Sequence, residues 1–218
     1  MSYNPKIFKI ILRTLLEFFF PQRCAGCGAA RETLCLACLK SIEMPDVAEA
    51  NGIYAASNYH DRTVKNAIRL LKYKKGRCLA KPLAELIKER CLPKIMETYP
   101  ELNAEDFIAI PIPLSAGKLR ERGFNQAAEM AKLLPLTTNN KILFKTKETS
   151  SQVSVKDRDK RLKNIEGCFI TKNVDALKGK NIIIIDDVFT TGATIKETKK
   201  TLKAGGARKV LAIVLARG

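Results

Sequence analysis

Two sets of side chains in this sequence have types and spacings suited to chemistry. The first is Asp186-Asp187, followed at once by Val188-Phe189 and then by Thr190-Thr191-Gly192-Ala193-Thr194. A turn leading from a strand into a helix presents free backbone N–H groups, and hydroxyls around a single glycine add donors, so it cradles an anion. Two carboxylates just before it can accept hydrogen bonds from a pair of sugar hydroxyls, or hold the Mg²⁺ that escorts a diphosphate. A ligand that suits both halves carries a phosphate beside a vicinal diol, as ribose 5-phosphate does. Packing alone asks for a buried strand and a capped helix; it does not ask for adjacent acids followed by TTGAT. Neither a GxGxxG fingerprint nor a GxxxxGK[ST] loop is present.

The second set is Cys24, Cys27, Cys35 and Cys38. Two CxxC knuckles separated by seven residues can close a tetrahedron of thiolates, as structural zinc requires. Gly26 and Gly28 allow the turns around the first pair. A redox or disulfide role is the lesser alternative, because no secretory signal accompanies the pairs. Four thiolates leave no open coordination position, so the expected ion is structural, and so short a ribbon needs its metal to fold. Cys78, Cys91 and Cys168 are scattered and read as small apolar or surface residues.

The elements that must position these groups follow from periodicity. Ile182 to Ile185 form an unbroken β-branched run, the pattern of a strand buried on both faces of a parallel sheet, and the run stops at the acids. A helical pattern runs from Ile195 to about Ala204 and is closed by Gly205-Gly206. Phe107 to Ile112 reads as another strand, entering PLSAGKLRERGFNQ. Ligands in open α/β sheets bind beyond the carboxyl ends of strands, so both turns should face one crevice, with Ser115, Arg120 and Arg122 at its diphosphate end. A helix from Asn125 onward carries Ala127, Ala128, Met130, Ala131 and Leu134. Upstream, residues 52–59 read as a strand, and the lone His60 after it reads as structural. Asp61 to Tyr73 reads as a helix with Val64, Ala67, Ile68 and Leu71 inward and Lys65, Arg69 and Lys72 outward. The basic turn from Lys72 to Arg77 either meets phosphate or is a solvated helix end. Lys81 to Cys91 gives a helix with Leu83, Leu86 and Ile87 inward, and Val210 to Leu215 gives the last strand. Residues 145–167 are polar and read as a long lid loop with Gln152, Arg158, Arg161 and Asn164 facing the ligand; a short strand starts at Phe169.

The 218 residues suit one ordinary domain with a small appendage, and 46% hydrophobic composition supplies a core. A formal charge of +17 favours polyanions: nucleic acid, nucleotides, diphosphates or an anionic membrane surface. No apolar run reaches the ~18 residues of a membrane span. Residues 5–20 look like a leader, yet Arg13 and Glu17 interrupt the apolar stretch and no cleavage site follows. Lys6, Lys9, Arg13 and Glu17 form one polar stripe, so the pattern favours a helix packed on the body, with a helix lying on a membrane as the alternative. Pro21 ends it.

The isoleucine run, the two acids and TTGAT resemble the signature of type I phosphoribosyltransferases, which bind 5-phosphoribosyl-1-pyrophosphate (PRPP). FFFPQRC with the CxxC pair, IRLLKYKKG, IPIPLSAGKLRERGFNQA, SQVSVKDRDKRLKNIEGCF, IIIIDDVFTTGATIKE and GARKVLAIVLAR follow in this order over nearly the whole chain. Together they resemble the ComF competence family. The resemblance implies an α/β fold: a type I phosphoribosyltransferase-like parallel sheet flanked by helices over residues 50–218, behind an N-terminal helix and zinc ribbon over residues 1–45. It implies that Asp186 and Asp187 contact the ribose hydroxyls, beside Val188 and Phe189, and that Thr190 to Thr194 hold the 5-phosphate. Lys72, Ser115, Arg120 and Arg122, with Gln152, Arg158 and Asn164 of the loop, are the pyrophosphate and lid candidates. The implied cofactors are structural zinc on the four cysteines and magnesium arriving with PRPP. The implied role is DNA uptake in natural transformation, acting on incoming single-stranded DNA with a competence helicase and translocation proteins. That places the protein in the cytoplasm, with peripheral contact at the inner face of the membrane where the helix is interfacial. Aromatics make up only 6% of residues, so single-strand binding should be phosphate-dominated and salt-dependent. The alternative is an active enzyme that transfers ribose 5-phosphate from PRPP to a nitrogen acceptor and releases pyrophosphate.

Overall fold

The computed structural model describes residues 22–30, 32–147 and 165–218. Its centre is a six-stranded sheet in the order β1-β2-β8-β7-β3-β4. The strands are β1 (Glu49–Ala50), β2 (Ile53–Asn58), β3 (Phe107–Pro111), β4 (Thr137–Thr138), β7 (Asn181–Phe189) and β8 (Lys209–Arg217). All neighbouring pairs are parallel except β1, which runs antiparallel to β2 at the edge. A separate antiparallel pair, β5 (Leu143–Lys145) and β6 (Phe169–Thr171), was not expected as a sheet of its own. The helices are α1 (Leu36–Lys40), α2 (Arg62–Leu71), α3 (Ala80–Thr98), α4 (Ala116–Arg122), α5 (Gln126–Ala131) and α6 (Ala193–Ala204).

Strand alternation divides the isoleucine run between two cores. Ile183 and Ile185 pack with Val64, Ala67, Ile68 and Leu71 of α2, Leu83 and Ile87 of α3, and Ala127 and Met130 of α5. Ile182 and Ile184 pack with Ile195 and Leu202 of α6 and with Leu143 and Phe169 of the small sheet. All four isoleucines are fully buried, and each contributes roughly 1.5–3 kcal/mol to the core. Helices thus cover both faces, as a parallel sheet requires.

Among the boundaries that differ from the sequence reading, three bear on the core and the site. The central strand does not stop at the acids: β7 continues to Phe189, because β8 extends equally far and offers backbone partners, Val214 to Asp186 and Ala216 to Val188. Helix α3 runs through Pro93 to Thr98, held by the buried Leu92 and Ile95 on either side of the proline. Helix α6 begins at Ala193, two residues before the expected start at Ile195. Residues 5–20 and the loop positions Gln152, Arg158, Arg161 and Asn164 lie outside the described residues. Among the described residues, no helix is long and apolar enough to cross a membrane.

The cysteine-bearing segment is built into the first core, where Cys24, Ala25, Leu34 and Ile42 are buried with α2 and α3. Arg90 on α3 fastens the chain that leaves it. Its guanidinium donates to the carbonyls of Ile42 at 2.8 Å, Ala56 at 2.9 Å and Glu43 at 3.4 Å. Charged donors contribute more than neutral ones, so Arg90→Ala should cost about 2–3 kcal/mol of stability. Urea unfolding monitored by circular dichroism reads this directly, and an unchanged midpoint would show that the fastening contributes nothing.

Candidate functional site

The site grows from the end of β7. Because β3 lies beside β7 in parallel register, with Pro111 opposite Ile185, the chain leaving β3 reaches the same sheet edge as the acids. That chain turns through Pro113 and Ser115, a residue only 2% exposed, into α4. Gly123 ends α4 with φ 76°, a left-handed conformation that favours glycine. Asn125 then starts α5: its side-chain oxygen accepts from the N–H groups of Ala127 at 3.0 Å and Ala128 at 3.4 Å. Its amide nitrogen donates to the Ile112 carbonyl at 2.9 Å, tying the start of α5 to the end of β3.

This arrangement delivers Gln126, which is 4% exposed, to the acid pair. Gln126 Nε2 donates to Asp187 Oδ2 at 3.2 Å, and Arg122 Nη1 donates to Gln126 Oε1 at 3.0 Å. From the other side Lys72 Nζ lies 3.2 Å from the same Asp187 oxygen. A continuous polar line, Lys72–Asp187–Gln126–Arg122, therefore crosses the mouth of the sheet. Gln126 has no place among the expected site residues; its signal was the polar side chain inside RGFNQ, one position into a helix otherwise lined with alanine and methionine.

Lys72 reaches Asp187 because α2 lies across the strand ends. Ten residues at ~1.5 Å rise make ~15 Å, more than the ~10 Å between β2 and β7 at two ladder spacings. Asp187 itself is 8% exposed. Asp186, part-exposed as a residue but with its carboxyl enclosed by its neighbours, accepts the Asp187 N–H on Oδ1 at 2.8 Å. Burial of its carboxyl, then the neighbouring Asp187 charge, push Asp186 well above the ordinary carboxylate range.

After Phe189 the chain bends through Thr190 and Thr191 into α6. Gly192 has φ 75°, and a Cβ there would stand 2.8 Å from the Phe189 ring, so the turn folds tightly back on the strand. The Arg217 guanidinium stacks over the same ring at 4.8 Å. Thr191 Oγ1 accepts from Ala193 N at 3.5 Å, Thr190 is exposed, and Thr191 and Thr194 are part-exposed. The structure thus brings Lys72, Arg122, Ser115 and the 186–194 segment to one edge. Arg120, exposed on α4, makes no ion pair among the described residues.

The four cysteines form a second, separate cluster. All their sulfurs lie within 4.8 Å of one another. Cys24 and Cys35 are 3.6 Å apart, and Cys27 and Cys35 3.8 Å. A tetrahedral ion with ~2.3 Å bonds to sulfur needs sulfurs about 3.8 Å apart, so the cluster could hold a metal such as zinc. Burial raises the Cys24 thiol, but the backbone N–H groups of Cys35, Cys27 and Gly26 outweigh it and bring it to about 6, favouring the thiolate a metal requires.

A phosphoribosyl transferase domain matches residues 120–218. Competence protein ComFC of Bacillus subtilis is 38% identical over 122 residues, 56% of this chain and 48% of that protein. DNA utilization protein YhgH of Salmonella typhimurium is 26% identical over 200 residues, 89% of this chain and 83% of that protein. A solved structure described as the allosteric regulatory enzyme of purine biosynthesis superposes with a TM-score of 0.41 at 14% identity, covering 64% of this chain and 26% of that one. The chain spans about half the length of the competence proteins it matches.

Cys35, whose sulfur touches two partners, is the sensitive member of the cluster. Cys35→Ser should remove most of the bound metal and lower the melting temperature, by roughly 2–4 °C for each kcal/mol lost. Elemental analysis beside a thermal melt checks this; full metal content with an unaltered melt would contradict a structural ion.

Proposed function

We propose that this chain, which is similar over about half its length to competence proteins and over residues 120–218 to a phosphoribosyl transferase domain, is a DNA-uptake factor of natural transformation. In this reading it binds PRPP at the end of β7 and engages incoming single-stranded DNA through its basic surface. The observation that carries it is the joined line Lys72–Asp187–Gln126–Arg122, which gathers stretches from three parts of the sequence onto one strand end. The names of the relatives, one a competence protein and one a DNA utilization protein, support the biological role. The +17 charge supports a polyanionic partner.

Asp186 and Asp187 accept hydrogen bonds from the ribose hydroxyls, with Val188 and Phe189 as the strand wall. The amides and hydroxyls of Thr190 to Thr194, with the N-terminus of α6, hold the 5-phosphate. Ser115, Arg120 and Arg122 face the diphosphate, and Gln152, Arg158 and Asn164, outside the described residues, are its further sequence candidates. Magnesium, arriving with PRPP, neutralises diphosphate charge. Lys72 keeps Asp187 paired until sugar hydroxyls take its place. The four cysteines hold structural zinc within a unit of residues 1–45, and residues 50–218 form the phosphoribosyltransferase-like unit. The partners in this reading are a competence helicase and translocation proteins, met in the cytoplasm with peripheral contact at the inner face of the membrane.

Calorimetry with PRPP and Mg²⁺ should give saturable binding. Asp187→Ala should weaken it about 10- to 100-fold, since a charged acceptor contributes about 1.5–3 kcal/mol. Equal affinity in the variant sinks the proposed sugar grip. Pyrophosphate release with bases, amines or nucleic acids as acceptors would instead establish a working transferase. Absence of salt-sensitive binding to an oligothymidylate at low ionic strength would remove the DNA reading.

A further inference from the structure

Beside the pentose site, and sharing a wall with it, lies a hollow of about 300 Å³ lined by Tyr59, Lys65, Asn66, Ile68, Arg69 and Lys72. Its lining holds three cations and no acid. Lys65, Arg69 and Lys72 recur at helical spacing along the outer face of α2, so they point the same way. Lys72 is paired with Asp187. Lys65 and Arg69 are exposed and have no ion-pair partner among the described residues. Tyr59, the residue after β2, lines the same hollow, with Lys65 Nζ over its ring at 6.0 Å from the centre. Because β2, β8 and β7 run parallel, Tyr59 lies on the same sheet edge as the acid pair, two strands away.

Resting on the reading of this chain as one that engages single-stranded DNA, we infer that this hollow is the place where it does so. The hollow holds a backbone phosphate on Lys65 and Arg69 and stacks the adjoining base on Tyr59. The chemistry matches term by term. Like-charged side chains gathered without a counter-charge are relieved by an anion. A phosphate alone uses only the cations, whereas a nucleotide also uses the aromatic wall, and base–aromatic stacking is the sequence-tolerant half of single-strand recognition. The volume is at the lower end of small-ligand sites, which suits one nucleotide unit and leaves the rest of a strand outside. Asn66 donates to the Ala25 carbonyl at 3.3 Å, which steadies α2 against the cysteine segment and fixes the floor of the hollow.

The test measures fluorescence anisotropy of a labelled 20-mer of thymidylate with the full chain. Lys65→Glu/Arg69→Glu should weaken binding by about tenfold or more and flatten the dependence of log affinity on log salt by about 1.4, two phosphate contacts at ~0.7 each. The milder Lys65→Gln/Arg69→Gln pair should move both readouts the same way, guarding against a folding defect. Tyr59→Ala should weaken binding by about fivefold or more, and Tyr59→Phe should leave it unchanged. Lys180→Glu/Lys200→Glu, an equal charge change at residues exposed away from the hollow, should lower affinity far less, and calorimetric PRPP binding should be alike in the two reversed variants. Competition by thymidine monophosphate distinguishes a subsite for a free nucleotide from one that needs the strand, and both outcomes keep the assignment. If the native chain binds the 20-mer and the two charge-reversed variants lose affinity equally, the assignment is overturned while the DNA reading stands. Competition by inorganic phosphate alone, with Tyr59→Ala silent, overturns it as well. A native chain that binds no 20-mer overturns the functional reading on which it rests.

Discussion

Two carboxylates on successive residues at the buried end of a strand repel each other and lose water together, and the sheet edge is arranged around that cost. Asp187 is relieved by one cation and one amide, Lys72 from α2 and Gln126 from α5, each 3.2 Å from the same oxygen. Asp186 takes the Asp187 backbone N–H and feels the Lys72 charge, but burial and the Asp187 charge outweigh both and raise its proton affinity. A site in this condition is polarised before any ligand arrives. One carboxylate is paired with a lysine, and the carboxyl beside it has its proton affinity raised. Positions elsewhere follow from the need to supply these partners: α2 must cross the strand ends, and α5 must begin close under β3.

What the sequence made legible was the part fixed by local pattern. The isoleucine run, the acids and the small-residue turn are contiguous, and contiguous residues on one strand–turn–helix unit cannot be far apart. The four cysteines were equally plain, because tetrahedral thiolate geometry leaves little choice of spacing. Parallel order around β7 was also within reach, since strands buried on both faces need helices between them. Less accessible was whatever depended on a partner strand or a distant helix. The length of β7 is set by β8, whose residues 214–217 keep the acids within the ladder. Pro93 was a poor guide to the end of α3, because burial of Leu92 and Ile95 outweighs one missing N–H. Gln126 is invisible as a site residue until α5 is docked, for nothing in its neighbours announces a carboxylate 61 positions away. Lys72, in contrast, was noticed as a phosphate-facing cation and found its partner in an acid.

Helix α2 joins the cysteine segment to the acid pair. Its inner face, Val64, Ala67, Ile68 and Leu71, is almost wholly buried, which fixes its rotation. Three polar anchors fix its position. Asp61 caps its first turn by accepting the Val64 N–H at 3.0 Å and also takes the Glu43 N–H at 3.0 Å. Asn66 reaches the Ala25 carbonyl, and Lys72 reaches Asp187. With rotation and both ends set, the outward residues have no choice but to stand together, and Lys65 and Arg69 face solvent as a pair.

The cysteine cluster therefore matters beyond its own fold. Cys24 and Ala25 are buried against the same helix whose far end neutralises Asp187, and a substituent on Gly26 would strike Cys38 Sγ at 2.6 Å. So close an approach leaves the segment one way to sit. A metal that locks the four sulfurs locks Ala25, hence Asn66, hence the axis of α2. Loss of that lock would not touch the acids directly; it would loosen the lysine that keeps one of them paired. Charge at the mouth of the sheet and thiolates some forty residues from Lys72 in sequence are thus parts of one packing arrangement, transmitted by a ten-residue helix.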